Sequence, residues 1–170
     1  MREVILAKSA GFCFGVRRAV QLAEQIADRG KPYVMLGPVI HNDNVIEDLA
    51  SRGVGCVHAI EEVPPGYGVI IRSHGEPKAV YDRLEEMGCP IADATCVKVS
   101  QIHQIVKDAS DRGRQVIIIG APEHPEVKAI AGWCEHPVVV SGEEDLSKWL
   151  ENDPNNRDLP LTFVSQTTST

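Results

Sequence analysis

Residues 69–77 read Val-Ile-Ile-Arg-Ser-His-Gly-Glu-Pro, and this stretch decides the fold class. Three apolar residues in a row, without polar alternation, indicate a strand buried on both faces, as in the centre of a parallel sheet. A polar loop follows, and Pro77 then begins a helix that we predict to extend to about Met87, where Gly88 ends it. A strand, a polar loop and a helix in this order are the unit of α/β folds.

The same unit recurs along the chain. We predict strands over residues 4–7, 33–36, 54–57, 69–71, 90–92, 116–119, 138–140 and 161–164. We predict helices over residues 16–27, 43–52, 77–87, 97–112, 126–134 and 143–150. Strands that alternate with helices form a parallel sheet covered on both faces, so the predicted fold class is α/β. The break before the long helix at 97 predicts two similar lobes of parallel sheet flanked by helices, over residues 1–96 and 97–170.

Composition narrows the function. The chain has 170 residues, of which 43% are hydrophobic. Its net charge of −7 argues against nucleic acid or an anionic membrane as a partner. No apolar run approaches the roughly 20 residues of a membrane span, and no signal peptide is visible, so we expect a cytoplasmic protein. In that compartment the five cysteines are expected to be reduced, and none forms a Cys-x-x-Cys pair.

Polar residues suited to chemistry follow the predicted strands at equivalent positions. In the first lobe and at its end these are Cys13, His41, His74 and Cys96, and in the second lobe they are His124, Glu126 and Thr167. Because ligands of open α/β sheets bind beyond the carboxyl ends of the strands, we expect these side chains to converge. Other residues lack this setting: we assign no role to His58, His103 and His136, and we interpret Cys56, Cys89 and Cys134 as packing residues.

The residue types indicate two kinds of ligand. Two thiolates from distant loops suit a soft metal or an iron–sulfur cluster, although Cys13 at a helix N-terminus could equally be a nucleophile or a buried small side chain. Three histidines that precede helices suit a phosphate or diphosphate. Glu126 either caps its helix or donates a proton.

Six motifs occur in order: Gly11-Phe12-Cys13-x-Gly15-Val16-x-Arg18-Ala19, Ile40-His41-Asn42, Ser73-His74-Gly75, Asp93-Ala94-Thr95-Cys96, His124-Pro125-Glu126 and Gln166-Thr167-Thr168. As an ordered set they resemble the 4-hydroxy-3-methylbut-2-enyl diphosphate reductase family of the non-mevalonate isoprenoid pathway. The resemblance implies three α/β lobes around a [4Fe-4S] cluster with one cysteine from each lobe, two of them being Cys13 and Cys96.

The resemblance also implies roles for the other residues. His41, His74 and His124 would hold the diphosphate, Glu126 would supply protons, and Thr167 would orient the substrate hydroxyl. Reductive removal of that hydroxyl would give isopentenyl and dimethylallyl diphosphate, with ferredoxin or flavodoxin as electron donor. The family's third cysteine follows the Gln-Thr-Thr motif and is not among these 170 residues. We therefore expect this polypeptide alone to form no stable [4Fe-4S] cluster and to be inactive or very weak.

Two other classes of function remain open at this point. One is a metallohydrolase that holds zinc with the histidines and Glu126, which requires these side chains to lie at metal-bonding distance from one another. The other is a non-catalytic α/β module that binds phosphate groups and has lost the chemistry.

Overall fold

A computed structural model describes residues 4, 5, 7 and 10–168, and these residues alternate between helices and strands. The helices are α1 (Phe14–Asp28), α2 (Asp43–Ser51), α3 (Lys78–Glu86), α4 (Val97–Asp111), α5 (Pro125–Ala131) and α6 (Glu143–Asn152). The strands are β1 (Tyr33–Leu36), β2 (Gly55–Val57), β3 (Gly68–Ile71), β4 (Ile91–Asp93), β5 (Gln115–Ile119), β6 (Val138–Val140) and β7 (Leu161–Ser165). Two short 3₁₀ turns occupy Ile60–Glu62 and Pro154–Arg157.

The strands form two parallel sheets, which confirms the predicted α/β class. The first sheet has the order β2-β1-β3-β4 and the second the order β6-β5-β7. Met35 pairs with Ile70 in the first sheet, and Ile117 pairs with Phe163 in the second. The apolar strand β3 lies between two neighbours, as its sequence predicts. The strands of the first sheet all precede residue 97 and those of the second all follow it, while the division into lobes at that residue stays a prediction.

Side-chain alternation along β3 divides the core of the first sheet between its two faces. Ile70 packs on one face with α1, through Ala19 and Ala23, whereas Val69 and Ile71 pack on the other face with Leu84 of α3. The second sheet has its own cluster, formed by residues of β5, α4 and α5 that include Val106, Val116, Ile118, Val127 and Ile130. Helices on both faces explain why β3 is apolar throughout.

One predicted strand is wrong. Val4, Ile5 and Ala7 lie in no strand, and the side chains of Val4 and Ile5 are 91% and 83% exposed; Leu6 lies outside the described residues. An apolar run forms a strand only where a neighbouring strand pairs with it, and no described strand does so here. Helix α5 also ends at Ala131, earlier than predicted, with Gly132 as its C-cap. No helix in the described part of the chain is long and apolar enough to cross a membrane.

Candidate functional site

Three histidine rings from three different loops lie side by side. His41 precedes α2, His74 follows β3, and His124 is the N-cap of α5. The ring centroids of His41 and His74 are 5.0 Å apart, and those of His74 and His124 are 5.6 Å apart. The strands β1, β3 and β5 deliver these loops from their carboxyl ends; β1 and β3 are neighbours in the first sheet, whereas β5 belongs to the second.

His74 is the central ring and has an unusual electrostatic environment. Burial, together with the nearby His41, Arg72 and His124, lowers its pKa to about 4, and burial is the largest of these causes. Its Nδ1 atom is buried and has no hydrogen-bond partner among the residues that the structure describes. Since a buried polar atom without a partner costs free energy, this nitrogen favours a ligand that would supply the missing hydrogen bond.

Glu126 and Thr167 form a pair next to the histidines. The Glu126 side chain is 1% exposed, and both of its oxygens accept hydrogen bonds from Thr167, at 2.6 Å from the backbone N–H and 2.8 Å from the hydroxyl. The helix is capped by His124 instead, whose Nδ1 accepts a hydrogen bond from the Glu126 backbone N–H at 3.1 Å. The Glu126 carboxylate is therefore not a cap, and the exposed Thr167 lies between it and solvent. We call His41, His74, His124, Glu126 and Thr167 the histidine–glutamate cluster.

Cys13 and Cys96, which we call the cysteine pair, occupy equivalent positions. Each is the N-cap of a 15-residue helix, α1 or α4, and neither side chain makes a capping hydrogen bond. The two helix starts are close: a Cβ atom built on Gly15 would lie 2.6 Å from the Cys96 Sγ. Glycine at position 15 therefore lets the Cys96 thiol approach the loop that carries Cys13.

Hydrogen bonds join the cysteine pair to the histidine–glutamate cluster. The Arg18 guanidinium donates to the Thr95 carbonyl oxygen at 2.9 Å, which holds α1 against the loop before Cys96. The Cys96 backbone N–H in turn donates to the carbonyl oxygen of Ser73, the residue before His74, at 2.9 Å. The structure thus places all seven sequence-predicted residues in adjoining loops or at the helix start that follows one, as Glu126 in the first turn of α5, and their roles stay proposals.

The cysteines interpreted as packing residues lie apart from this site. Cys56, Cys89 and Cys134 are half-buried, and burial raises the pKa of each thiol, to about 11 for Cys134. Raised thiol pKa values oppose metal ligation and nucleophilic reactivity, because both need the thiolate.

Comparison with known proteins identifies the family. The family model for LytB protein matches residues 4–170. The chain belongs to the LytB family. The resemblance carried by the six motifs is confirmed, because similar proteins are named 4-hydroxy-3-methylbut-2-enyl diphosphate reductase.

Two relatives and two solved structures illustrate the similarity. The 4-hydroxy-3-methylbut-2-enyl diphosphate reductase of Clostridioides difficile (strain 630) is 35% identical over 98% of this chain and 59% of its own length. That of Zymomonas mobilis subsp. mobilis (strain ATCC 31821 / ZM4 / CP4) is 35% identical over 99% of this chain and 49% of its own. A solved structure of (E)-4-hydroxy-3-methyl-but-2-enyl diphosphate reductase has a TM-score of 0.80 at 35% identity and covers all of this chain and 60% of its own. A solved structure of the E-1-hydroxy-2-methyl-but-2-enyl-4-diphosphate reductase from Plasmodium falciparum has a TM-score of 0.85 at 29% identity. The match covers 95% of this chain and 50% of that one.

This LytB chain spans about half to three-fifths of the length of these relatives. Within its described residues, no three His, Cys, Asp or Glu side chains are grouped so that they could hold a metal ion. The cysteine pair nevertheless suits part of an iron–sulfur site, because two thiols stand at adjoining helix starts and Gly15 leaves room beside one of them. The zinc site considered from the sequence has no such support.

Contacts between residues far apart in the sequence hold the site together, and most of them have no local sequence signal. Arg18 belongs to a motif, but its bond to the Thr95 carbonyl joins residues 77 positions apart and leaves no local pattern. The sequence alone assigns no role to His103, but its side chain is buried against the loop that carries His74. Its place on the apolar face of α4 was the available signal, since a histidine there replaces an expected apolar residue.

Proposed function

We propose that this LytB chain binds the diphosphate of 4-hydroxy-3-methylbut-2-enyl diphosphate and contributes to its reductive dehydroxylation to isopentenyl and dimethylallyl diphosphate. The observation that carries the proposal is the convergence of three imidazoles beside a buried carboxylate–threonine pair. The imidazoles supply N–H donors for an anion, and the carboxylate–threonine pair supplies a route for a proton. The names of the LytB relatives identify the substrate class.

The histidine rings serve as donors to the diphosphate. His74 is neutral in the free protein at pH 7, because its pKa lies at about 4. A neutral imidazole still has one N–H to donate, and hydrogen bonds to a charged phosphate oxygen are stronger than those to a neutral acceptor. An adjacent phosphate also favours the imidazolium form, so binding draws protons toward the rings.

Glu126 and Thr167 handle the proton that leaves with the hydroxyl. Dehydroxylation breaks the allylic C–O bond, takes up two electrons and two protons, and releases water. Glu126 is buried while Thr167 is exposed, so the substrate hydroxyl contacts the Thr167 oxygen. When Glu126 Oε2 carries a proton, Oε2 becomes the donor of the 2.8 Å hydrogen bond, and its proton moves to the Thr167 oxygen as the Thr167 hydroxyl proton moves to the leaving hydroxyl. The second proton goes to carbon, and addition at either end of the allyl unit gives the two products.

Cys13 and Cys96 would supply two of the three cysteine ligands of a [4Fe-4S] cluster in this assignment. When bound, the cluster would supply the electrons one at a time, from ferredoxin or flavodoxin, and a Lewis-acidic iron for the substrate oxygen. Metal analysis and an absorbance spectrum of a LytB protein that supplies all three cysteines separate this assignment from the zinc hydrolase, since thiolate-bound iron–sulfur clusters absorb visible light and zinc does not.

The anion site is tested by calorimetric titration of the 170-residue chain with inorganic pyrophosphate at pH 7. We expect binding, and we expect His74→Ala to weaken it by about tenfold, because a hydrogen bond to a charged group contributes roughly 1.5–3 kcal/mol. The matched control is His58→Ala, which removes an exposed histidine outside the cluster. Equal affinities for His74→Ala and His58→Ala would contradict the proposed site.

The non-catalytic alternative uses the same anion site, so the titration does not separate it from the enzyme. Substitutions of Glu126 or Thr167 separate the two functions, because holding a diphosphate does not require a buried carboxylate. A phosphate-binding module therefore predicts that Glu126→Gln has no consequence beyond stability. The reductase predicts that the same change, made in a catalytically competent LytB protein, lowers kcat strongly and leaves pyrophosphate affinity within about twofold.

A further inference from the structure

The loop that carries His74 is held from the other side by the second half of the chain. Gly75 packs against His103 of α4, since a Cβ atom at Gly75 would lie 2.5 Å from the His103 Cε1 atom. Pro77 packs against Gly132, where a Cβ atom would lie 2.4 Å from the Pro77 Cβ. Two of the three residues that follow His74 therefore contact residues beyond position 97.

Hydrogen bonds reinforce these contacts. The indole N–H of Trp133 donates to the Glu76 carbonyl oxygen at 2.9 Å, and the Lys78 backbone N–H donates to the Gly132 carbonyl oxygen at 3.3 Å. The segment from Gly75 to Lys78 thus meets α4 and the end of α5 at four consecutive residues. Glycine allows both approaches, because a Cβ atom at Gly75 would meet the His103 ring and one at Gly132 would meet Pro77.

His103 and Trp133 form one unit in this contact. Their rings are stacked, with centroids 5.0 Å apart and an interplanar angle of 15°. Trp133 also contacts the Tyr81 ring of α3 edge-on, at 5.6 Å. His103 is 4% exposed, and its Nε2 atom is buried without a hydrogen-bond partner among the described residues. A leucine would fill this space without that cost, so neither a hydrogen bond of Nε2 nor simple burial accounts for the histidine.

The same contacts determine the distance between two rings of the anion site. His74 follows a strand of the first sheet and His124 follows a strand of the second. The two residues therefore share no sheet that would fix their relative positions. The segment just after His74 is held by α4 and the end of α5, and α5 begins at His124. A change at His103 or Trp133 therefore shifts His74 relative to His124.

We propose that His103 and Trp133 are positioning residues, which clamp the segment after His74 and thereby set the His74–His124 spacing that a diphosphate requires. The proposal rests on the proposed function for its ligand, but the spacing itself is a property of the free chain. The flat imidazole is the group that fits between the Trp133 ring and Gly75. Neither residue touches the anion, so their effect is indirect.

The test compares His103→Ala with Val106→Ala, which truncates a fully buried apolar residue one turn further along the same helix. Two quantities are measured on each 170-residue chain: the affinity for inorganic pyrophosphate, and the nuclear Overhauser effect between the His74 and His124 rings. We expect His103→Ala to weaken binding by about tenfold and to abolish the ring–ring signal. We expect Val106→Ala to lower the melting temperature while leaving the affinity within about twofold and the ring–ring signal intact.

Trp133→Phe is the second variant, because it keeps an aromatic ring for stacking while it removes the indole N–H and reduces the size of the ring. We expect it to fold and to weaken pyrophosphate binding by about threefold, and it decides the question if His103→Ala does not fold. A folded His103→Ala chain with wild-type affinity and ring–ring signal would overturn the proposal, as would an equal loss in Val106→Ala. If the wild-type chain does not bind pyrophosphate, the proposed anion site fails, and the ring–ring signal in His103→Ala alone decides this inference.

Discussion

The histidine–glutamate cluster and the cysteine pair lie in adjoining loops but are held very differently. In the cluster, Glu126 is buried and accepts two hydrogen bonds from Thr167, and His124 caps α5 with its ring. In the pair, neither thiol caps its helix, and the ring of Phe14, which follows Cys13, is 75% exposed. The first region is built from its own contacts, whereas the second has backbone support and little side-chain packing.

This difference suggests how the two regions gain their function. A site whose donors already have fixed positions binds an anion without first being ordered, and preorganisation of this kind favours affinity. In the described part of the chain neither thiol makes a capping hydrogen bond, so we expect both to be freer to rotate than the cluster side chains. Mutations in the cluster should therefore change stability, and those of its histidines should change anion binding as well, whereas mutations in the pair should change mainly the behaviour of the thiols.

The largest expected effect is that of Glu126→Ala on stability. Truncation leaves a cavity in place of a fully buried side chain and removes both acceptors of the Thr167 hydrogen bonds. We expect the free energy of unfolding to fall by about 3 kcal/mol, measured by urea denaturation at pH 7. The control is Glu123→Ala, three residues earlier, whose side chain is 89% exposed and pairs only with Lys128; it should cost less than about 0.5 kcal/mol. Similar losses for the two variants would contradict the contrast drawn above.

The second effect is a loss of stability in acid caused by His74. Its pKa is about 4 in the folded chain and about 6.5 when unfolded, so between these values the unfolded state binds more protons. Stability is therefore complete above about pH 6.5 and falls as the pH approaches 4. We expect this residue to contribute roughly 2 kcal/mol to the fall, after allowance for its partial exposure.

The measurement compares urea denaturation of the wild-type chain and of His74→Gln at pH 7 and at pH 4. Other titrating groups are common to both, so the difference between the two losses isolates His74. Saturating pyrophosphate should reduce the wild-type loss, because a bound anion favours the protonated ring. Identical losses in the two chains would mean that burial does not keep His74 neutral.

Local sequence patterns predict most of the helices and strands and also which residues form the site. The apolar run of β3 and the proline before α3 predict a central strand followed by a helix, and the topology rule for parallel sheets predicts that His41, His74 and His124 converge. The strand expected at Val4 failed because its formation depends on a neighbour and not on its own residues. Local patterns also do not predict pairs that only the tertiary structure brings together, such as Glu126 with Thr167, 41 residues apart.

The smallest expected effect on stability lies in the cysteine pair. In Gly15→Ala the added Cβ atom would lie 2.6 Å from the Cys96 Sγ, so the thiol must rotate away. Alanine also stabilises α1 by up to about 1 kcal/mol relative to glycine, and we expect the net change in unfolding free energy to stay within about 1 kcal/mol. The Cys96 thiol, in contrast, should become more accessible and react about threefold faster with iodoacetamide.

Mass spectrometry of each alkylated cysteine measures this rate, and Cys134, which lies apart from the pair, is the internal reference. Gly55→Ala is the control variant, because its Cβ atom would meet nothing within 4 Å and the Cys96 rate should not change. A large loss of stability in Gly15→Ala, with an unchanged Cys96 rate, would mean that the thiol is packed as firmly as Glu126. The cysteine pair would then be fixed by its own contacts, and the contrast between the two regions would not hold.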